Sequence, residues 1–363
     1  MSELKIHCPH CQGSLLCSER HRGRKVRCPH CKRSLRVPGV ALNRPASLIP
    51  RKFGHKLLAL AGVLVLLAAL AGVGTWWLLP AGAHWTDRRP IGVLFLASDF
   101  HASAINPRGW FNDEKLDVTG PGGQERFHQA LQAYTDRTLE ILKRTDAQGV
   151  IVWDLEGEEY PHKTTFIGDP RLVQRLAPEM AAVADEFFAR LRNAGLKVGL
   201  TIRPQQLILD DGLPRQSQVF NTKRLLLEKI DYARTRWGAT LFYIDSNGGI
   251  RRPDELWQLR SLAQARPDVL LIPEHHYLPY SAFSAPYISL RKGGSPKTAA
   301  WAKKWFPKSF QAVDISDGAG DWAGIAAAQF NGDLLLFRAW TWGPECQLLE
   351  NFAQEKLKAT AKP

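Results

Sequence analysis

Beyond residue 31 this chain of 363 residues has a single cysteine, Cys346, so no intramolecular disulfide can form in its larger part. Acidic residues are scarce at the other end. Residues 1–56 carry thirteen Lys/Arg against only Glu3 and Glu19, whereas the remainder nearly balances its charges. The net charge of +13 therefore belongs to the N-terminal segment and implies no basic groove elsewhere. No aromatic residue is interleaved among Arg20, Arg22, Arg24, Lys25 and Arg27, so bases would have nothing to stack on. Nucleic acid is disfavoured as a partner, and these residues read as a solvated hairpin.

What the N-terminal segment does have is five of the six cysteines. It reads His7-Cys8-Pro-His-Cys11, then sixteen residues, then Cys28-Pro-His-Cys31. Two C-x2-C knuckles at that spacing can offer four thiolates to one tetrahedral zinc ion. Cys8, Cys11, Cys28 and Cys31 are the expected ligands. Cys17 is a spare small residue, and His10 and His30 shape the turns or face solvent. The segment 1–38 resembles the short zinc ribbons at the N-termini of many bacterial membrane and regulatory proteins. A cytoplasmic protein partner for such a ribbon is one expectation.

Residues 39–56 form a basic linker bearing prolines. Leu57 to Leu79 is an uncharged apolar run, long enough at ~1.5 Å per residue to cross a ~30 Å hydrocarbon core. Arg51, Lys52 and Lys56 precede it and Trp76-Trp77 close it. The pattern predicts one transmembrane helix over 57–79, with the ribbon cytoplasmic and everything after a short linker, 80–90, extracytoplasmic. The expected location is that of a single-pass membrane protein.

From Ile91 onward strand-like and helix-like runs alternate. Eight strands are predicted, at Ile91–Ser98, Gly149–Leu155, Lys197–Arg203, Thr240–Asp245, Val269–Pro273, Pro286–Leu290, Phe310–Ile315 and Asp333–Trp340. Amphipathic runs such as Phe127–Arg144, Leu172–Ala194, Thr222–Trp237 and Leu256–Ala265 separate them. Eight βα units fit an α/β fold, a (β/α)8 TIM barrel over 91–359. A doubly wound sheet would typically carry a Gly-rich phosphate turn after its first strand, where this chain has Asp99-Phe-His-Ala.

In such a barrel the side chains just past the strands' C-terminal ends converge on one face. Those positions hold Asp99 and His101, then Asp154, Glu156, Glu158 and Glu159, then Arg203. Asp245 with Asn247, and Glu274 with His275 and His276, follow. Asp314 and Asp317 precede Trp340, Trp342 and Glu345. A rim so rich in carboxylates suits glycoside hydrolysis, in which one carboxylic acid protonates the leaving oxygen and a second carboxylate attacks or activates water. Asp245 and Glu274 are the leading pair. Tyr243, Trp340 and Trp342 offer faces for sugar rings, and Asp99, Asp154, Glu156, Arg203, Asn247 and His275 are candidates to hold substrate. Each has a blander reading: Asp314 begins a turn, Asp154 and its neighbours form a solvated loop, and the tryptophans are core.

This half of the chain resembles the (β/α)8 glycoside hydrolases. Its order of Asp, Glu and Asp on strands four, five and seven is similar to that of the α-amylase clan. The resemblance implies Asp245 as nucleophile, Glu274 as general acid/base and Asp314 as transition-state stabiliser, acting on a poly- or oligosaccharide without a catalytic cofactor. Tyr243 stands where that clan has an arginine, and Val313 where it has a histidine, which points to a more distant barrel hydrolase. Two other readings remain at this stage. One is a metal-dependent deacetylase or amidohydrolase using Asp99, His101, Asp154 and His275 or His276. The other is a glycan-binding sensor or anchor that turns nothing over.

Overall fold

The computed structural model describes residues 3–39, 62–67, 83–157, 167–210, 213–275, 277–290, 303–304, 306–316 and 321–360. The chain divides into two compact units, Met1–Trp77 and Leu78–Pro363.

Residues 3–39 of the first unit form two β-hairpins. Strands β1 (Glu3–His7) and β2 (Ser14–Ser18) pair antiparallel, as do β3 (Lys25–Arg27) and β4 (Ser34–Arg36). Each hairpin turn is one Cys-Pro-His-Cys knuckle, and the octet Cys-Pro-His-Cys-x-x-Ser-Leu occurs twice, at 8–15 and 28–35. The repeat is physical as well as textual. Gln12 N donates to Cys8 O at 2.8 Å and Lys32 N to Cys28 O at 3.0 Å, with Gln12 and Lys32 both in the left-handed region. Ile6, Leu15, Cys17, Leu35 and Val37 pack beneath the knuckles as a small core.

The expected transmembrane helix is not upheld. Among the described residues no helix is long and apolar enough to cross a membrane. Of the predicted span, residues 62–67 are described as helix and the rest of 57–79 lies outside the described residues. The single-pass membrane location drawn from that span is withdrawn.

The second unit is built on eight parallel strands: β5 (Ile91–Phe95), β6 (Gly149–Trp153), β7 (Lys197–Ile202), β10 (Leu241–Ile244), β11 (Leu270–Pro273), β12 (Tyr287–Ser289), β13 (Ala312–Asp314) and β14 (Leu334–Arg338). Their order across the sheet is β11-β10-β7-β6-β5-β14-β13-β12, so sequence neighbours are mostly spatial neighbours and β14 returns to β5. That is a near-closed, TIM-like barrel. Ala285 N donates to Leu271 O at 3.0 Å, tying β11 to the segment that leads into β12. The interior is filled by alternate residues, including Ile91, Ile151, Leu241, Tyr243, Ile272 and Leu336. Trp85 packs under the barrel, where its indole donates to Gln148 Oε1.

Among the described residues six helices of nine or more residues cover the strands: α1 (Gly123–Arg144), α2 (Ala184–Asn193), α3 (Thr222–Trp237), α4 (Pro253–Ala265), α5 (Trp322–Phe330) and α6 (Pro344–Thr360). In α3, Leu226, Ile230, Ala233 and Trp237 are buried at three- and four-residue spacing. Asn221 caps its start by accepting from Arg224 N, and Gly238 ends it at φ 67°. The single helix expected over Leu172–Ala194 is instead broken into Val173–Leu176, Pro178–Ala181 and α2. Pro178 has no N–H to donate and keeps Ala177 out of the helical region. A hairpin of β8 (Gln205–Asp210) and β9 (Leu213–Gln218) follows β7 and was not foreseen. Nor was the fold of the excursion after β5, where Asn106 donates to the carbonyls of Trp110 and Asp113 and accepts from Trp110 N.

Candidate active site

Parallel register places three of the expected residues side by side. Ile202 lies opposite Ile244, and Ile244 opposite Pro273, so Arg203, Asp245 and Glu274 follow at one level on adjacent strands. Arg203 Nε donates to Asp245 Oδ2 at 2.5 Å, and both side chains are more than nine-tenths buried. Ser246, at φ 56°, binds both acids: its N–H donates to Glu274 Oε2 at 2.8 Å and its hydroxyl to Asp245 Oδ2 at 3.0 Å. His275 Nδ1 lies 3.3 Å from Glu274 Oε2. Asn247 is buried and its Oδ1 accepts from His275 N at 2.9 Å, so that oxygen holds backbone rather than a sugar hydroxyl.

Burial, reinforced by the charge of Asp245, pushes the Glu274 carboxyl above the usual range. The shift favours the protonated form of Glu274 relative to an ordinary carboxyl.

A cavity of about 590 Å³ opens at the C-terminal ends of the strands. Glu274, Asp314 and Arg338 are its charged lining; Asp245 is not part of that lining. Asp314 accepts from the Tyr287 hydroxyl at 2.8 Å and from Ser316 N at 2.9 Å, which fixes the orientation of its carboxyl. The aromatics form a continuous wall: Trp340 to Phe95 at 5.2 Å, Phe95 to Trp153 at 4.8 Å, Trp153 to Tyr243 at 5.0 Å and Tyr243 to Tyr287 at 5.4 Å. Burial and the nearby Glu274 carboxylate push the Tyr243 hydroxyl far above its ordinary value, so it stays a donor. Tyr287 is raised in the same direction, by burial and by Asp314.

Other expected residues lie elsewhere. Trp153 lines the cavity, but the chain leaves the strand at Asp154, which is buried at φ 61°, absent from the cavity lining and within electrostatic reach of Tyr134. Trp342 sits under the Arg144 guanidinium at 3.7 Å and does not line the cavity, whereas Trp340 does. Asp99 and His101 form a short turn after β5. Glu158, Glu159, His276 and Asp317 lie outside the described residues. With Asp154 absent from the lining, no His/Asp ligand group assembles at the mouth among the described residues.

Glu156 is also buried, but in a cluster with Asp169 and Lys229 that sequence reading missed. Burial, with Asp169 nearby, pushes Glu156 up to about 7, and burial lowers Lys229 to about 8. Lys229 Nζ donates to the carbonyls of Gly168, Arg203 and Gln205 at 3.0, 2.7 and 2.9 Å. Gly168 is required there. It has φ 67°, and a Cβ would meet Arg203 N at 2.8 Å. A lysine on the apolar face of α3 was the available signal, and it sets the backbone that carries Arg203.

The four knuckle cysteines form a second candidate centre. Their Sγ atoms all lie within 4.8 Å of one another, with Cys8 to Cys31 and Cys11 to Cys28 at 3.7 Å. Four thiolates ~2.3 Å from a tetrahedral ion would stand ~3.8 Å apart, so this donor set fits a metal ion. His10 and His30 are exposed and outside the group.

No family model and no curated protein matches the chain. Among solved structures it is similar to α-L-fucosidase isoenzyme 1 from Paenibacillus thiaminolyticus, at 12% identity over 74% of this chain and 73% of that one, with a TM-score of 0.44. It is similar to a GH29 α-L-fucosidase from Bacteroides thetaiotaomicron at 12% identity, covering 75% and 74%, TM-score 0.42. A Thermotoga maritima α-fucosidase follows at 10% identity, covering 77% and 75%, TM-score 0.40. These are likenesses of fold.

Proposed function

We propose that the barrel mouth hydrolyses O-glycosidic bonds of an oligo- or polysaccharide, with Glu274 as proton donor and Asp314 as the second carboxylate. One observation carries the reading. A carboxyl raised by burial and a neighbouring charge faces an aromatic-walled cavity that also holds an oriented aspartate. A sugar ring stacked on Trp340 and Trp153 would meet Glu274 from one side. The protonated Glu274 gives its proton to the leaving oxygen while Asp314 attacks the anomeric carbon or takes a proton from water.

Exposure favours Asp314 over Asp245 for the second role. The second carboxylate must reach the anomeric carbon or a water within the pocket. Asp245 is almost wholly buried, committed to Arg203 and absent from the cavity lining, whereas Asp314 lines it. The role of Asp245 is then to raise Glu274 and to hold it in place. Zinc is the ion proposed for the four cysteines, as a structural centre that makes the hairpins fold.

The test is turnover of a panel of aryl glycosides that includes an α-L-fucoside. Glu274→Gln and Asp314→Asn should each lose about 10² to 10⁴ in kcat, and Asp245→Asn should lose less. An inactive Asp245→Asn beside an active Asp314→Asn would return the attacking role to Asp245. Glycan binding without turnover in the wild type would make the domain a binding module.

A further inference from the structure

The cysteine-bearing unit has a feature that the barrel chemistry does not use. A groove of about 640 Å³ runs along the whole of β2, and Val26 and Arg27 of β3 also line it. Among the described residues β2 pairs only with β1 and β3 only with β4, so two strands lining one groove each lack a neighbour on one side. Unpaired strand edges are templates for a further strand. Leu16 stands in the groove at 64% exposure, on the face of β2 opposite Leu15 and Cys17, an aliphatic side chain with nothing over it among the described residues. Lys5, His21 and Arg27 line the same groove and no acidic residue does.

We propose that this groove binds an extended acidic peptide segment by strand addition. Its backbone would continue the β2 ladder, an aliphatic side chain would cover Leu16, and its carboxylates would face Lys5 and Arg27. Charge complementarity selects the sign of the partner. The described residues 3–39 contain no Phe, Trp or Tyr, so the groove has no platform on which single-stranded bases could stack. The proposal is independent of the glycosidase reading, because it concerns the other unit and a binding readout.

The experiment measures fluorescence anisotropy of a labelled peptide of about eight residues, repeating Val-Thr-Glu-Thr so that valine and glutamate share the face of Leu16 and Lys5, with the zinc-loaded full chain. The peptide is expected to bind, and more weakly as salt rises. The same peptide N-methylated at every valine keeps charge and side chains but loses ladder donors, and should bind at least about tenfold more weakly. Arg27→Glu and Leu16→Asp should each weaken binding by a similar factor. Both residues are solvent-exposed, and unchanged zinc stoichiometry shows that the variants fold. No binding, equal binding of the N-methylated peptide, or displacement of the peptide by a thymidine oligonucleotide or by phosphatidylserine vesicles overturns the proposal.

Discussion

Asp245 and Glu274 occupy neighbouring strand ends in unequal surroundings. Asp245 is paired with Arg203 in the interior, while Glu274 has a third of its side chain exposed and faces the cavity. The sign of the coupling follows. In the proposed mechanism Glu274 acts as an acid only while protonated, so kcat/KM is expected to fall as pH rises through its pKa. Burial and the Asp245 charge both raise that pKa and extend activity upward. Asp245→Asn removes the second cause and leaves the first. The alkaline limb of the kcat/KM profile should therefore move to lower pH while staying above the range of an ordinary carboxyl. A limb that does not move, or moves up, would mean that Asp245 does not act on Glu274.

At the scale of elements, helix α3 does more than cover the barrel. Lys229 projects from it into the interior, fully buried, and binds three carbonyls from the loops around β7. Lys229→Met would leave those carbonyls without their donor, at a cost of roughly 3 kcal/mol or more. Urea unfolding should show it as a lower midpoint at unchanged slope, and a midpoint within error of the wild type would remove Lys229 from the account. The eight strands were legible in the sequence because buried parallel strands are short apolar runs bounded by Gly, Pro and charge, and each run became a strand. The rim acids Asp245, Glu274 and Asp314 were legible because they end those runs. What the sequence hid depends on side-chain direction and tertiary contacts. Asp154 and Glu156 are acids just past a strand, like Glu274, yet they do not line the cavity. Trp342 lies two residues from Trp340 but packs on α1 through Arg144. Ser246 and Lys229 matter through bonds to partners 28 and about 26 residues distant, which no local spacing reports.

At the scale of the whole molecule, the two compact units rest on different physics. The barrel buries a large apolar interior, whereas the hairpin unit has a core of a few side chains and four clustered thiols. Metal removal should separate them. A strong chelator with a thiol-blocking reagent should abolish hydrogen-exchange protection in residues 3–39 and leave the barrel's protection and thermal transition intact. Retained protection in the metal-free hairpins would show that they fold without an ion. The apolar run at 57–79 teaches a separate lesson. Length and hydropathy alone predicted a span, and among the described residues no helix of that kind is present.

If Glu274 delivers a proton to a glycosidic oxygen, as proposed, its contribution to the rate depends on the acidity of the leaving group. An aryl glycoside with an acidic phenol needs little protonation, whereas one with a weakly acidic alcohol needs much. The account predicts that Glu274→Gln loses about 10² to 10⁴ in kcat on the weakly acidic leaving group and far less on the acidic phenol, so that the plot of log kcat against leaving-group pKa becomes steep. An equal loss on both substrates, or no loss on either, would contradict the assignment of Glu274 as the acid.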